Sequence, residues 1–328
     1  MTSFCGHRPP SEHPGRLGAM TTSAGVHRTL VLDDPVDVWQ TWSLLRRGPA
    51  DPAFQRVGPV TWRTSRMATG PVTVAVEQRD ARTVDAEAWG PGADEMLSTL
   101  PAALGAHDDA SGFVLAHPAV ADAHRRFPGL RIPRTGRILE ALIAAVIEQK
   151  VLGVDAFASW RRLLRKHGDP APGPAPEMRV FPTAETWAAL PSWEWHLAGV
   201  DPQRYRTAQA CARVGKQLEG LYDKVDDDLP AVYRGLRSIP GVGVWTAAET
   251  GGRALGDPDA VPFGDYHLGK LVGTGLLGHR LHTDEEVAEV LEPYRPQRYR
   301  VVRLLQLSPL VRPERRGPRN SRVDHRRI

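Results

Sequence analysis

The sequence predicts a mainly α-helical protein in which a small α+β antiparallel-sheet domain precedes two helical lobes. Three observations carry this prediction: short alternating apolar runs before residue 90, helical apolar periods after residue 93, and Pro- or Gly-rich punctuation between the helices. At 328 residues and 41% hydrophobic content, the chain can bury a large core and has room for two or three lobes. No run approaches the ~18 consecutive apolar residues of a membrane span, so the expectation is a soluble protein with no membrane partner. Only Cys5 and Cys211 occur, which excludes a disulfide framework or a four-cysteine metal site built from this chain alone and fits a reducing cytoplasm.

Residues 1–28 mix Pro, Gly, Ser and His without periodicity and read as a disordered extension, with Met20 as an alternative start. From Thr29 to about residue 115 the runs "TLVLD", "VTWRTSR" and "PVTVAVEQ" predict a small antiparallel sheet, with one helix over residues 35–46. Residues 116–310 hold the helical lobes. Within them Ile138, Leu139, Leu142, Ile143, Val146 and Ile147 make one segment apolar around nearly its whole circumference, the mark of a central buried helix. Glu148, Gln149 and Lys150 end it, as polar groups do where a helix emerges into solvent. The proline-rich "DPAPGPAPEM" at 169–178 joins this group to a second helical set. The tail from 311 to 328 is arginine-rich and aperiodic, able to touch phosphate.

Charge is segregated along the chain. Residues 29–119 carry 12 acidic and 7 basic side chains, whereas residues 290–328 carry 11 basic and 3 acidic ones. This suits a polyanionic partner and equally an arginine-rich solvated surface, since 37 of the 42 basic residues are Arg.

The stretch "SIPGVGVWTAAETGGRALGDPDAVPFGDYHL", residues 238–268, is the most informative. Gly241 and Gly243 predict a tight reversal between two helices through positive φ, leaving backbone N–H groups uncovered by any Cβ. The first amides of the following helix also lack intrahelical partners, so residues 241 to 244 form an anion site indifferent to base identity. Taken alone, Pro-Gly-x-Gly is also an ordinary αα-turn. Asp265 likewise has two readings, a helix N-cap before "YHLGKLV" or a carboxylate with chemical work.

This stretch resembles the helix-hairpin-helix DNA glycosylases, whose pattern is a Leu/Ile-Pro-Gly-x-Gly hairpin, a helix, and an aspartate about twenty residues beyond. It is most similar to the alkylpurine branch, 3-methyladenine DNA glycosylase II. The resemblance extends over about residues 29–310 and is specific between 236 and 268. It implies a two-lobed glycosylase bundle, a monomer acting on double-stranded DNA in base-excision repair. Asp265 is implied as the catalytic aspartate, and Pro240, Gly241, Val242, Gly243 and Val244 as the phosphate-binding hairpin. A carboxylate there stabilises the positive charge that builds on deoxyribose or orients the attacking water. Trp245 stands where lyase-active members have the Schiff-base lysine, so the resemblance implies hydrolysis without strand cleavage. Trp245 and Tyr266 are implied as rings that stack on a flipped, electron-poor purine. No organic cofactor or metal is implied, though a monovalent cation held by hairpin carbonyls fits the family.

The sequence departs from the family at three places. Glu249 replaces an aromatic one turn after Trp245. The place of another pocket tryptophan falls on Gln297. After the substrate-contacting glutamine, Gln149, the apolar wedge position is Lys150, with Leu152 as the alternative wedge. Trp193 and Trp195 receive no role. Two other readings stand beside the alkylpurine one: a non-catalytic helix-hairpin-helix DNA-binding protein, and a same-fold glycosylase for a deaminated or mismatched base, which Glu249 favours.

Overall fold

The computed structural model describes residues 24–175, 177–309 and 311. The readings made for residues 1–23 and for the tail from 312 onward lie outside them. Five antiparallel strands, β1 (Val26–Val31), β2 (Phe54–Val57), β3 (Val60–Met67), β4 (Gly70–Gln78) and β5 (Thr83–Trp89), lie in the order β1-β5-β4-β3-β2. The first strand begins inside the stretch expected to be disordered. Its register explains why: Val26 faces Ala88 and Val31 faces Thr83, so its order comes from β5, a strand the alternation argument did not single out. Helices α1 (Val38–Trp42) and α2 (Ala93–Ala103) cover one face of the sheet, and Trp42, Met96, Leu97 and Leu100 fill that core.

Twelve further α-helices follow among the described residues: α3 (Pro118–Arg126), α4 (Ile138–Glu148), α5 (Gly153–His167), α6 (Ala184–Ala189), α7 (Ser192–Ala198), α8 (Pro202–Arg213), α9 (Gly215–Glu219), α10 (Leu229–Arg237), α11 (Val244–Thr250), α12 (Leu268–Leu277), α13 (Asp284–Leu291) and α14 (Arg298–Leu307). Helix α4 is the axis of one core. All its apolar residues are buried, and the Glu219 carboxylate accepts from the Ile138 and Leu139 amides at 3.2 and 2.9 Å, closing its N-terminus. Glu140, on its flank, accepts from Ser65 Oγ at 2.8 Å and Arg63 Nη2 at 2.9 Å of β3, which ties the sheet to the helices. Trp195 is fully buried against Trp187 at 5.3 Å, a packing anchor, whereas Trp193 is exposed.

A second core gathers α3, α12, α13 and α14. Helix α11 is the seam between the two, because Ala247 packs in the α4 core and Ala248 in the α14 core. After Thr250 it widens into a π-helical turn, Gly251–Leu255, where Gly252 lies so close to the Tyr299 ring that a Cβ could not fit. No helix among the described residues is long and apolar enough to cross a membrane.

The position of α4 has a measurable consequence. Leu142→Ala, at a fully buried site, is expected to lower unfolding free energy by about 2–5 kcal/mol, whereas Val57→Ala on the exposed sheet edge changes it by less than ~0.5 kcal/mol. Urea midpoints of the two variants check this difference.

Candidate active site

Helix α10 ends at Arg237, and after six intervening residues α11 begins at Val244. Gly241 sits at φ +88°, and a Cβ there would collide with the Thr207 side chain of α8. Gly243 differs from the expectation, with φ −92° and ψ −173°, an extended conformation open to any residue. A Cβ at Gly243 would face open space, so nothing inside the protein requires this glycine. The two glycines therefore have separate reasons: one closes the turn, the other keeps its outer surface bare.

The amides also divide. The Val242 N–H donates to the Ile239 carbonyl at 3.0 Å, and the Val242 side chain is buried in the α4 core. Val242 thus anchors the turn and cannot offer its amide to phosphate, a correction to the five-residue reading. Pro240 has no N–H at all and contributes only shape. The amides of Gly241 and Gly243 meet no backbone acceptor among the described residues, and that of Val244 belongs to the unpaired first turn of α11. Pro240, Gly241, Gly243 and Val244 are all exposed.

Trp245 follows at once and is half-buried. Its indole Nε1 donates to Asp265 Oδ2 at 3.2 Å, while Asp265 Oδ1 accepts from the His267 amide at 2.7 Å. Asp265 is half-buried, just before α12. The geometry joins the two readings of this residue, since one oxygen closes the turn before the helix and the other meets the ring beside the hairpin. The neighbouring acids are structural. Asp257 accepts from Tyr233 Oη at 2.5 Å, and Asp259 receives Arg298 Nε at 2.8 Å and Nη2 at 2.7 Å.

Gln149 reaches the same place from the end of α4. Its Nε2 donates to the Gly241 carbonyl at 2.9 Å and to Thr246 Oγ1 at 2.8 Å, bracing the hairpin and leaving only its Oε1 for a substrate. Lys150 is exposed at φ +54°, a conformation that costs a non-glycine residue roughly 1 kcal/mol, and Leu152 is exposed on the same turn. Tyr266 is 71% exposed at the rim, with the Arg280 guanidinium 5.5 Å from its ring centre and His267 edge-on at 5.1 Å.

Glu249, one turn beyond Trp245, is paired with Arg253 Nη1 at 2.5 Å, and Arg253 Nε donates to the Leu44 carbonyl at 3.1 Å. Next to Gln149, Glu148 has Arg47 Nη1 3.0 Å from its Oε1 but off the hydrogen-bond direction, so that oxygen has no directed donor. Burial pushes the Glu148 carboxyl up, and the charge of Arg47 offsets this only in part. Arg303 of α14 is 7% exposed; its Nη1 donates to Gln306 at 2.5 Å, and its Nε and Nη2 have no acceptor. Burial lowers its pKa first of all, with the Arg253 charge adding to the effect. Gln297 is not part of this lining, because its Oε1 accepts from Arg300 Nε at 2.7 Å in a pair with Asp108; Tyr299 is the α14 residue that packs on α11.

Sequence reasoning missed Glu148 as more than a helix end, and it missed Arg47, Arg253 and Arg303. Only the i, i+4 spacing of Glu249 and Arg253 could have signalled one of these contacts. A cavity of about 290 Å³ opens on another flank of α11, lined by Arg237, Val244, Ala247, Asp259 and Phe263 among others; Trp245 and Asp265 are not in its walls. No group of three or more His, Cys, Asp or Glu suited to a metal ion occurs among the described residues.

No family model matches the chain. Part of it is similar to a Mycobacterium tuberculosis protein named "Probable bifunctional transcriptional activator/DNA repair enzyme AlkA", in both strain CDC 1551 / Oshkosh and strain H37Rv. The identity is 35% over 148 residues, 43% of this chain and 28% of the relative. The match thus spans little more than a quarter of the length of those relatives. The whole fold is similar to the 3-methyladenine DNA glycosylase from Archaeoglobus fulgidus, with TM-score 0.70 and 18% identity over 85% of this chain and 97% of that one. It is also similar to the apo 8-oxoguanine glycosylase/lyase of Clostridium acetobutylicum, with TM-score 0.66 and 12% identity over 88% and 99%. The chain has the helix-hairpin-helix DNA glycosylase fold, with the small antiparallel sheet domain in front, and it resembles the 3-methyladenine branch.

The hairpin glycines give opposite expectations. Gly241→Ala, at positive φ and against Thr207, destabilises the fold by roughly 1–3 kcal/mol. Gly243→Ala leaves the thermal midpoint unchanged or slightly raised and weakens duplex DNA binding. Melting curves and fluorescence-anisotropy titrations of the pair check both halves.

Proposed function

We propose that the chain is a monofunctional DNA glycosylase that hydrolyses the N-glycosidic bond of a damaged purine flipped out of duplex DNA. Alkylated purines are the class the resemblance implies. The observation that carries the proposal is the Trp245 Nε1 to Asp265 Oδ2 contact of 3.2 Å, which fixes a carboxylate beside the open amides of Gly241, Gly243 and Val244.

In this reading a phosphate oxygen rests on those amides, with no side chain at Gly243 to keep it away. The extruded nucleotide then presents its sugar to Asp265. As the C1′–N9 bond breaks, its electron pair leaves with the base and positive charge grows on the sugar. Asp265 stabilises that charge, a preorganised contact of the kind that supplies ~3–4 kcal/mol. The water oxygen bonds to C1′; an alkylated purine, cationic in the strand, takes the bond's electron pair and departs neutral, and the released water proton passes to the Asp265 carboxylate and on to solvent. An ionised carboxylate can accept at about four lone-pair positions, so the indole and the His267 amide do not exhaust it.

Trp245 offers no amine for a Schiff base, which supports base removal without strand cleavage. The Mycobacterium relative's name includes DNA repair enzyme and the Archaeoglobus neighbour is a 3-methyladenine glycosylase, which supports base-excision repair of double-stranded DNA; a cytoplasmic monomer is part of the same proposal. Lys150 and Leu152 are the wedge candidates in this reading, supported by the Gln149 hydrogen bond that ties the start of their turn to the hairpin. The Ile239 and Gly241 carbonyls accept from Val242 and Gln149 and each keeps a second lone pair, so these are the groups that would hold a monovalent cation at the hairpin.

Chromatography of bases freed from methylated, deaminated and oxidised duplex DNA tests the proposal. The expected products are free base and an unbroken abasic strand, with no borohydride-trapped covalent complex. Duplex binding without release of any base would support the non-catalytic reading, and a trapped complex would contradict the hydrolytic one.

A further inference from the structure

The small sheet domain supplies none of the hairpin, ring or carboxylate groups, yet one of its segments touches the three elements that carry or flank them. Residues 44–51 lie between α1 and β2. The Leu44 carbonyl accepts from Arg253 Nε at 3.1 Å, on the π-helical turn that continues α11 beyond Trp245. The Pro49 carbonyl accepts from Arg161 Nη1 at 3.4 Å and Asp51 Oδ1 from Trp160 Nε1 at 3.0 Å, both on α5, which starts directly after Leu152. Arg47 makes the third contact, its Nη1 lying 3.0 Å from Oε1 of Glu148, the last residue of α4. The next residue is Gln149, whose Nε2 holds the Gly241 carbonyl and Thr246 Oγ1. A short path therefore runs from the sheet domain through Arg47, Glu148 and Gln149 to the hairpin.

The backbone of Arg47 is fastened, because its amide donates to Asp51 Oδ2 at 2.6 Å and Gly48, at φ +77°, turns the chain so close to Phe157 that a Cβ could not fit. Its guanidinium is held differently. The side chain is 6% exposed, beside a cavity of about 20 Å³ that Arg253, Trp160 and Ala144 also line, room for one water. Packing thus leaves the head group space, and the Glu148 charge sets its place. Arg253 attracts the same carboxylate, while Glu249 and Asp51 repel it. We propose, resting on the glycosylase reading above, that Arg47 is a positioning residue: by drawing on Glu148 it sets where α4 ends, and through Gln149 it aligns the hairpin, and with it Trp245 and Asp265, on the everted nucleotide. The sheet domain then governs the reaction without touching substrate. Losing this link leaves the hairpin amides free to grip phosphate and lets the carboxylate drift from the sugar, so the loss falls on the chemical step, where a displacement of about 1 Å is costly.

The test offers the full chain duplexes holding methylated purines, hypoxanthine or 8-oxoguanine, and follows single-turnover release of the base that wild type frees fastest. Arg47→Met is expected to slow release at saturating enzyme on the order of tenfold, with affinity for a duplex holding an abasic-site analogue kept within about twofold. Arg47→Lys, which keeps the charge, should recover part of the rate. Gln149→Ala should slow release at least as much, and adding Arg47→Met to it should cost little more, because the two act in series. Arg47→Met leaves the Glu148 carboxylate buried without its cation, so Arg47→Met/Glu148→Gln, which removes both charges at similar volume, serves where the single variant fails to fold. It is expected to melt near wild type and to release base as slowly. Wild-type release by either folded variant would overturn the inference and leave the glycosylase reading standing. Losses from Arg47→Met and Gln149→Ala that multiply in full, as for independent sites, would overturn it too. No release of any base by wild type would remove the reading and the inference together.

Discussion

Everything proposed about this protein depends on how the Asp265 carboxylate is held. An isolated acid on a loop before a helix would turn its oxygens to the nearest amides, as Oδ1 does with His267. The second oxygen instead meets an indole twenty residues earlier in the chain, on the helix that begins at the hairpin. Hairpin, ring and carboxylate thereby become a single unit, and a strand gripped at one would find the others at a fixed distance. The Gln149 amide extends that unit to the end of the central buried helix, so α4, the axis of the larger core, sets the position of the exposed turn.

This arrangement sits where two cores meet. Adjacent alanines of α11 pack in different cores, and the π-helical turn that follows brings Gly252 onto Tyr299 and directs Arg253 inward. Charged groups from three sources gather around Glu249 and Arg253 on this turn: Arg47 from the sheet domain, Glu148 from α4, and Arg303 from α14. Low exposure makes their hydrogen bonds strong when complete and expensive when they are not.

Local signals were legible in the sequence. The all-apolar run of α4, the alternation of β3 and β4, and the Pro-Gly-x-Gly turn with its acid each followed from residues close together in the chain. What sequence could not show came from long-range pairing. Strand β1 is ordered by β5, some 56 residues away where Thr29 faces Asp85, and nothing in its own composition announces it. Arg47 meets Glu148 across a hundred residues, and the Val242 amide is engaged by a carbonyl that only the folded turn brings near. Gly243 was placed correctly in the hairpin, yet its reason differs, since an ordinary φ leaves the empty space outside it as the fact to explain.

The central claim is that the second Asp265 oxygen faces the sugar of an everted nucleotide while the hairpin holds the strand. The most direct measurement is single-turnover base release by Asp265→Asn beside its affinity for the same lesion duplex. The account predicts a fall in release of roughly a hundredfold or more with duplex affinity retained, since the substitution removes charge and keeps shape. Release at the wild-type rate would contradict it and leave Asp265 as a helix cap.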